Sequence, residues 1–184
     1  SPSTAILHAY LLDPMGPYRP GSVFVIGETD TADPNDLSVG NGAAPAQFAE
    51  QIKEMLAASS AKLNTRVICD DARGLQSGQT VINMLREAGL NAKKPRRKDR
   101  TGTWALVRQM LENAKTGDGP GLFFVAESCP HLLDTLTEAP RNPLRPEDTD
   151  PKWNRDHWVD GHGYGMQELC GRVQLKIGRT RGDF

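Results

Sequence analysis

The sequence contains few cysteines, and their spacing excludes two kinds of small scaffold. Cys69, Cys129 and Cys170 are an odd number, and no two of them form a Cys-x-x-Cys pair. A disulfide framework needs paired cysteines, and a structural zinc site needs closely spaced ones. We therefore expect free thiols in a reducing compartment.

Long apolar runs are also missing from the chain. No segment approaches the roughly 18 consecutive apolar residues that span a membrane. The N-terminus lacks the charged and then hydrophobic pattern of a secretion signal. We therefore expect a soluble protein with no membrane partner. Its 184 residues, 38% of them hydrophobic and 24% charged, suit a single globular domain over residues 1–184.

Several common catalytic motifs are absent. The chain has no Gly-x-x-x-x-Gly-Lys-Ser/Thr loop to hold ATP phosphates, no Gly-x-Ser-x-Gly turn and no Rossmann fingerprint. The glycines from Gly117 to Gly121 precede an apolar strand, whereas a dinucleotide-binding loop would follow one. The sequence therefore gives no sign of an ATPase, a serine hydrolase or a dinucleotide-binding domain.

The net charge of −1 gives no overall attraction for a polyanion, so nucleic-acid binding would depend on local clusters. The strongest cluster has six cations in eight positions: Lys93, Lys94, Arg96, Arg97, Lys98 and Arg100. Such a run either holds backbone phosphates without sequence specificity or is a solvated loop, and both interpretations stay open. Residues 171–184 are also basic, and we interpret them as a solvated C-terminal tail.

The order of apolar patterns predicts the class of fold. Thr4 to Leu12 is an apolar run, and a second strand is predicted from Ser22 to Glu28 after a turn-rich loop. Pro45 begins a helix in which apolar residues from Phe48 to Leu56 recur with helical spacing. From Thr65 onward, strands and helices alternate. These elements predict an α/β domain with a mixed β-sheet flanked by helices on both faces.

Acidic residues stand at two distant places in the chain. Asp70 and Asp71 end a predicted strand, and Asp156, His157 and Asp160 lie on a predicted helix. Positions i and i+4 share one helix face, where like charges are unfavourable without a cation. Because hard cations prefer carboxylate ligands, we expect a divalent metal site formed by these residues. The alternatives are a turn or capping pair at Asp70 and Asp71, and a helix-dipole role for Asp156.

Three motifs follow one another over most of the chain. They are the strand Val67-Ile68-Cys69-Asp70-Asp71-Ala72, the segment Ser128-Cys129-Pro130-His131-Leu132-Leu133 with the loop Pro146-Glu147-Asp148, and the helix Asp156-His157-Trp158-Val159-Asp160 continued by Tyr164-Gly165. In this order the motifs resemble the C-terminal nuclease domain of the large terminase subunit of tailed double-stranded DNA bacteriophages. The resemblance implies an RNase H-like fold.

The resemblance also implies a function: a metal-dependent endonuclease that cuts concatemeric viral DNA during genome packaging. Asp70 and Asp160 match the family's catalytic metal ligands, and His157 matches an imidazole ligand of some members. Asp71 and Asp156 are supporting or substitute ligands. The family uses two ions, Mg²⁺ or Mn²⁺, on double-stranded DNA. It further implies an upstream ATPase domain, a small terminase subunit and a portal protein as partners, in the cytoplasm of the infected bacterial host.

Two features depart from the family pattern. The family's first strand carries an aspartate within an Asp-x-Gly segment. This chain begins at Ser1-Pro2-Ser3 and has no such residue in its first strand. We interpret residues 1–184 as excised from a longer chain, the alternative being a lost ligand. Gly161 and Gly163 each cost about 1 kcal/mol in a helix, so we expect a short or irregular helix beyond Asp160. Other RNase H-like nucleases, of transposase, integrase or resolvase type, and a noncatalytic DNA-binding or docking module are the alternative functions.

Overall fold

The computed structural model describes residues 2–59, 65–69, 80–95 and 100–179, with residues 171–179 described as backbone only. Within these residues the strands are β1 (Thr4–Tyr10), β2 (Val23–Asp30), β3 (Ala32–Asp33), β4 (Asp36–Gly40), β5 (Arg66–Ile68), β6 (Asn91–Lys93) and β7 (Leu122–Phe124). The helices are α1 (Pro45–Ala58), α2 (Val81–Glu87), α3 (Arg100–Thr116), α4 (Pro130–Glu138) and α5 (His157–Arg179). A short 3-10 turn, Ala126–Ser128, precedes α4.

The strands pair in both directions. β1 pairs with β2 in the antiparallel sense, with a register shift between Leu7 and His8. β2 also pairs in parallel with β7, so these three strands form a mixed sheet in the order β1-β2-β7. β5 and β6 form a separate parallel pair, and β3 and β4 form a small antiparallel pair. The prediction of a mixed α/β domain is confirmed.

Helices cover both faces of the mixed sheet. Successive side chains of a strand point to opposite faces, so each strand contributes side chains to the packing on both sides. Leu7 of β1 belongs to a buried apolar cluster with residues of α1 and α2, whereas its neighbour Ile6 packs against a second cluster. That second cluster joins Val23 and Val25 of β2 to α3, α4 and α5. The predicted arrangement of helices on the two faces is therefore also confirmed.

Helix α1 shows how the apolar spacing determines packing. It begins at Pro45, whose missing N–H costs nothing in the first turn, and the side chain of Gln47 accepts a hydrogen bond from the Ala44 N–H at 2.7 Å. Phe48, Ile52 and Leu56 share one face and are 7%, 2% and 2% exposed. Each such buried side chain contributes about 1.5–3 kcal/mol. The face predicted from the sequence is therefore the one that packs on the sheet.

The expectation of a short or irregular helix beyond Asp160 was wrong. α5 runs without interruption from His157 to Arg179, so it includes part of residues 171–184, the segment interpreted as a solvated tail. Its glycines allow it to approach β1 closely: a Cβ added at Gly161 would lie 3.3 Å from Thr4 Oγ1, and one at Gly165 would lie 2.4 Å from the His8 ring. Packing against β1 therefore outweighs the low helix propensity of glycine.

None of the three cysteines, Cys69, Cys129 and Cys170, forms a disulfide. Burial raises the pKa of the Cys129 and Cys170 thiols to about 11. Those two cysteines are therefore protonated packing groups at neutral pH.

Among the described helices, none combines the length and apolar character of a membrane span.

Candidate functional site

The predicted helical acids lie at the start of α5. Asp156 directly precedes the helix, and the Asp160 N–H donates a hydrogen bond to the Asp156 carbonyl oxygen at 2.8 Å. The two side chains are therefore one turn apart, as the i and i+4 spacing predicted. Thr4 Oγ1 donates to the His157 carbonyl oxygen at 2.9 Å, which fixes this end of α5 against the beginning of β1.

The guanidinium group of Arg100 lies among the acids. Arg100 Nη2 is 3.9 Å from Asp156 Oδ2 and 3.4 Å from Asp160 Oδ1, and Arg100 Nε is 3.1 Å from Asp148 Oδ1. Arg100 Nη2 also donates a hydrogen bond to Thr149 Oγ1. Arg100 was predicted to contact DNA, but here its guanidinium faces protein carboxylates. We name Arg100, Asp148, Thr149, Asp156 and Asp160 the Arg100 cluster.

His157 lies beside the Arg100 cluster. Its Nδ1 is 3.9 Å from Asp156 Oδ1, and its side chain is 31% exposed. Burial lowers the pKa of His157, although the nearby Asp156 carboxylate raises it in part. The ring is therefore mainly neutral at pH 7 and keeps a nitrogen lone pair, which is the form that binds metals.

A cavity of about 1240 Å³ lies between β1 and β5, with α1 and α5 forming further walls. His157, Asp160 and Cys69 line it. Arg66 at the start of β5 forms an ion pair with the buried Glu168 of α5, which holds β5 beside that helix. Asp70 and Asp71 lie outside the described residues, so their meeting with Asp160 stays a prediction. The neighbour of Asp70 in the chain, Cys69, nevertheless lines the same cavity as Asp160.

The donor chemistry of the site suits a hard cation. Asp156 and Asp160 supply carboxylate oxygens, His157 supplies an imidazole, and the two carboxylates converge on one positively charged atom, Arg100 Nη2. A metal ion at this position would face the same two carboxylates that now face the guanidinium. Within the described part of the chain, however, no group of three histidine, cysteine or acidic side chains is placed to hold a metal ion. A complete ligand set would therefore require Asp70 or Asp71.

The predicted DNA-binding run is divided by the structure. Lys93 ends β6 and Lys94 follows it, and both side chains are exposed. Arg96, Arg97 and Lys98 lie outside the described residues. Arg100 belongs to the Arg100 cluster. Lys93 and Lys94 are thus the described members that present charge at the surface.

The sequence analysis missed a polar cluster at the end of β2. The buried Glu28 carboxylate accepts hydrogen bonds from the backbone N–H groups of His131 at 2.7 Å and Leu132 at 2.9 Å. Asp30 Oδ2 lies 2.9 Å from His131 Nδ1. Burial raises the pKa of Glu28, while the two backbone hydrogen bonds lower it in part. Glu28 therefore caps the N-terminus of α4 from a strand 103 positions earlier, a separation that no local motif reveals.

A pair of histidines, the half-buried His8 and the buried His162, connects β1 to α5. His8 Nε2 lies 2.9 Å from His162 Nδ1, and the rings stack with centroids 5.0 Å apart. Burial lowers the pKa of His8 to about 4 and that of His162 well below its usual value. The hydrogen bond thus holds the partly buried His8 between β1 and α5. Its partner was not identified from the sequence because the two residues are 154 positions apart.

These histidines predict a loss of stability in mild acid. His8 has a pKa near 6.5 when unfolded and about 4 when folded, so between these values the unfolded chain binds more protons. The contribution of His8 is complete above pH 6.5 and is lost as the pH falls towards 4. Urea unfolding should therefore give a free energy about 2 kcal/mol lower at pH 5 than at pH 7.5.

The control for this prediction is a double variant, His8→Leu with His162→Leu. It removes both titrating rings together, so neither histidine is left facing the site of a missing partner. Its stability should change less between the two pH values than that of the unaltered protein. The same pH dependence in both proteins would assign the acid loss to other groups.

Comparisons of the chain with protein-family models, with curated proteins and with solved structures found no match. The fold and the site by themselves define a mixed α/β domain with the Arg100 cluster at the start of α5. The likeness to terminase nucleases rests on the three sequence motifs alone.

Proposed function

We propose that this domain is a divalent-metal-dependent endonuclease that hydrolyses double-stranded DNA with two Mg²⁺ or Mn²⁺ ions. The observation that supports the proposal most is the convergence of Asp156 and Asp160 on one cationic atom. Asp160 also lies at a cavity lined by Cys69, the residue before Asp70. An RNase H-like order, with β5 next to β1, would bring the acid that follows β5 towards the start of α5.

Each residue of the site has a proposed role. Asp160 and Asp70 would hold the ions directly, with His157 as a further ligand and Asp156 and Asp71 as supporting acceptors. When bound, the ions would supply an activated water and would stabilise the leaving 3′ oxygen of an in-line displacement. The Thr4 hydroxyl fixes the His157 backbone, and the close approach of Gly161 to Thr4 sets the distance of α5 from β1. These contacts would hold Asp160 at the start of α5 before any ion arrives.

The proposed biological setting rests on the resemblance. In that setting the enzyme cuts concatemeric viral DNA during packaging, in the cytoplasm of an infected bacterium. Its partners are an upstream ATPase domain, a small terminase subunit and a portal protein. The motif order over most of the chain supports this setting, which is more specific than a general nuclease activity.

A second candidate function is a noncatalytic DNA-holding module. The observation in its favour is Arg100, which partly neutralises the carboxylates without any metal. The two candidates differ in one experiment: incubation of the protein with supercoiled plasmid at low salt, with Mn²⁺ or with EDTA. The nuclease predicts nicked and linear DNA with Mn²⁺ alone. Binding without cleavage under both conditions would favour the holding module.

The exposed lysines give a test of DNA binding. Replacing Lys93 and Lys94 together by alanine should weaken duplex binding equally for unrelated sequences, because phosphate contacts carry no sequence information. The plot of log K against log salt should become less steep, its negative slope losing about 2 in magnitude, roughly one for each lost contact. Fluorescence anisotropy over a salt series measures both quantities.

A matched control removes two other exposed cations from α3, through Arg108→Ala and Lys115→Ala. It lowers the net charge by the same amount, so the general electrostatic effect is equal in the two variants. A salt slope that changes equally in both would show that Lys93 and Lys94 make no phosphate contacts. The corresponding test of Arg96 and Arg97 uses the same measurement.

A further inference from the structure

Arg100 holds together three segments of the chain through carboxylates. Asp148 belongs to the loop between α4 and α5, Asp156 directly precedes α5, and Asp160 lies in its first turn. Arg100 itself lies at the start of α3. Without a cation, the three negative charges would repel one another in a partly buried place. The guanidinium removes part of that repulsion.

The contacts of Arg100 are not equivalent. Its Nη2 donates a hydrogen bond to Thr149 Oγ1, whereas its Nε lies 3.1 Å from Asp148 Oδ1 in an ion pair without hydrogen-bond geometry. The distances from Nη2 to Asp160 and Asp156 are longer, 3.4 Å and 3.9 Å, and correspond to charge attraction without a well-formed hydrogen bond. Arg100 is thus anchored on the Asp148 and Thr149 side. Its contacts with Asp156 and Asp160 are the ones that can be given up.

A divalent ion is a stronger partner for these carboxylates than the guanidinium. It carries twice the charge and would bind the oxygens of Asp156 and Asp160 more closely than a guanidinium does. The ion would gain the same oxygens of Asp156 and Asp160 that now face Arg100 Nη2.

We propose that Arg100 is a built-in competitor for the metal site: it neutralises Asp156 and Asp160 when no ion is bound, and a divalent ion binds by displacing it from them. This inference rests on the proposed function, because it requires that Asp160 binds metal. Arg100 is then a positioning residue that keeps the carboxylates together and sets the ion concentration at which the site fills. Its removal should tighten metal binding while loosening the metal-free protein.

The test measures Mn²⁺ binding directly, through the electron paramagnetic resonance signal of free Mn²⁺ during titration of the full chain. Arg100→Gln should bind Mn²⁺ about tenfold more tightly than the unaltered protein, within the usual range for coupling between two sites. The control Arg108→Gln removes an exposed cation from the same helix and should leave the affinity unchanged. Adding Asp160→Asn to Arg100→Gln should abolish the gain.

Arg100→Lys separates competition from structural support. A lysine keeps the charge but lacks the planar fork, so it should restore weak Mn²⁺ binding if charge is what competes. A lysine variant with the affinity of Arg100→Gln would overturn the inference. Thermal unfolding gives an independent measurement: Arg100→Gln should melt at a lower temperature than the unaltered protein without metal and should gain more from Mn²⁺.

The outcomes distinguish this inference from the proposed function. Equal Mn²⁺ affinity in the unaltered protein and Arg100→Gln overturns the role of Arg100 but leaves the nuclease intact. Failure of every variant to bind Mn²⁺ overturns the metal site itself and, with it, both proposals. Tighter binding that survives Asp160→Asn would place the ion elsewhere and would also overturn the inference.

Discussion

Gly165→Ala is expected to lower the free energy of unfolding by about 3 kcal/mol, at the upper end of the usual cost of overpacking a core. The added Cβ would lie 2.4 Å from Cε1 and 2.6 Å from Nδ1 of His8. That ring is held by its hydrogen bond to His162 and by stacking against it, so it has little freedom to retreat. Urea denaturation at pH 7.5 measures the loss.

Gly163→Ala is the matched control, because it makes the same change one half-turn earlier in α5. A Cβ at Gly163 would meet Thr103 Cγ2 at 3.6 Å, which is ordinary contact. This variant should be more stable than the unaltered protein by about 0.5–1 kcal/mol, through the better helix propensity of alanine. Equal stability of the two variants would contradict the close packing of α5 on β1.

Asp160→Asn is expected to reduce Mn²⁺-dependent plasmid cleavage by at least about a hundredfold. Even residues that only support a metal ligand cost about 10- to 100-fold when changed, and Asp160 is proposed to bind the ion itself. The amide keeps the shape of the side chain but loses the charge that holds a hard cation. Single-turnover cleavage rates at saturating Mn²⁺ measure the effect, and circular dichroism confirms that the variant is folded.

The control for this prediction is Asp118→Asn, which removes an equal charge from an exposed loop position. It should cleave at the unaltered rate. Asp70→Ala should resemble Asp160→Asn, because the two acids are proposed to hold the same ions. Full activity in Asp160→Asn would falsify the proposed site, whereas loss in Asp160→Asn with full activity in Asp70→Ala would remove Asp70 alone from it.

Regular elements could be predicted where local spacing and packing agree. The apolar period from Phe48 to Leu56 predicted α1, and its face packs on the sheet. The alternating order after Thr65 predicted the β5, α2 and β6 succession. The extent of α5 could not be predicted, because helix propensity counts Gly161 and Gly163 as unfavourable. Only the position of β1 explains why α5 has glycine at Gly161 and Gly165, where a Cβ would approach Thr4 and His8, and that position is a tertiary fact.

The candidate site was predictable in part for the same reason. The i and i+4 spacing placed Asp156 and Asp160 one turn apart, because helix geometry is local. The contacts of Arg100 were not predictable, since its carboxylates come from positions 48 to 60 residues later. A charge run predicts a phosphate-binding surface only when no acidic side chain of the fold reaches it first. His8 with His162 and Glu28 with His131 illustrate the same limit.

The long-range cap of α4 implies an order of events during folding. The first N–H groups of α4 find their acceptor in Glu28, which reaches them only once β2 is in place. A peptide spanning α4 alone has no such acceptor and, at nine residues, is too short to stay helical in water. α4 therefore acquires its stable form late, as a dependant of the sheet, and its ordering reports that the two distant parts of the chain have met.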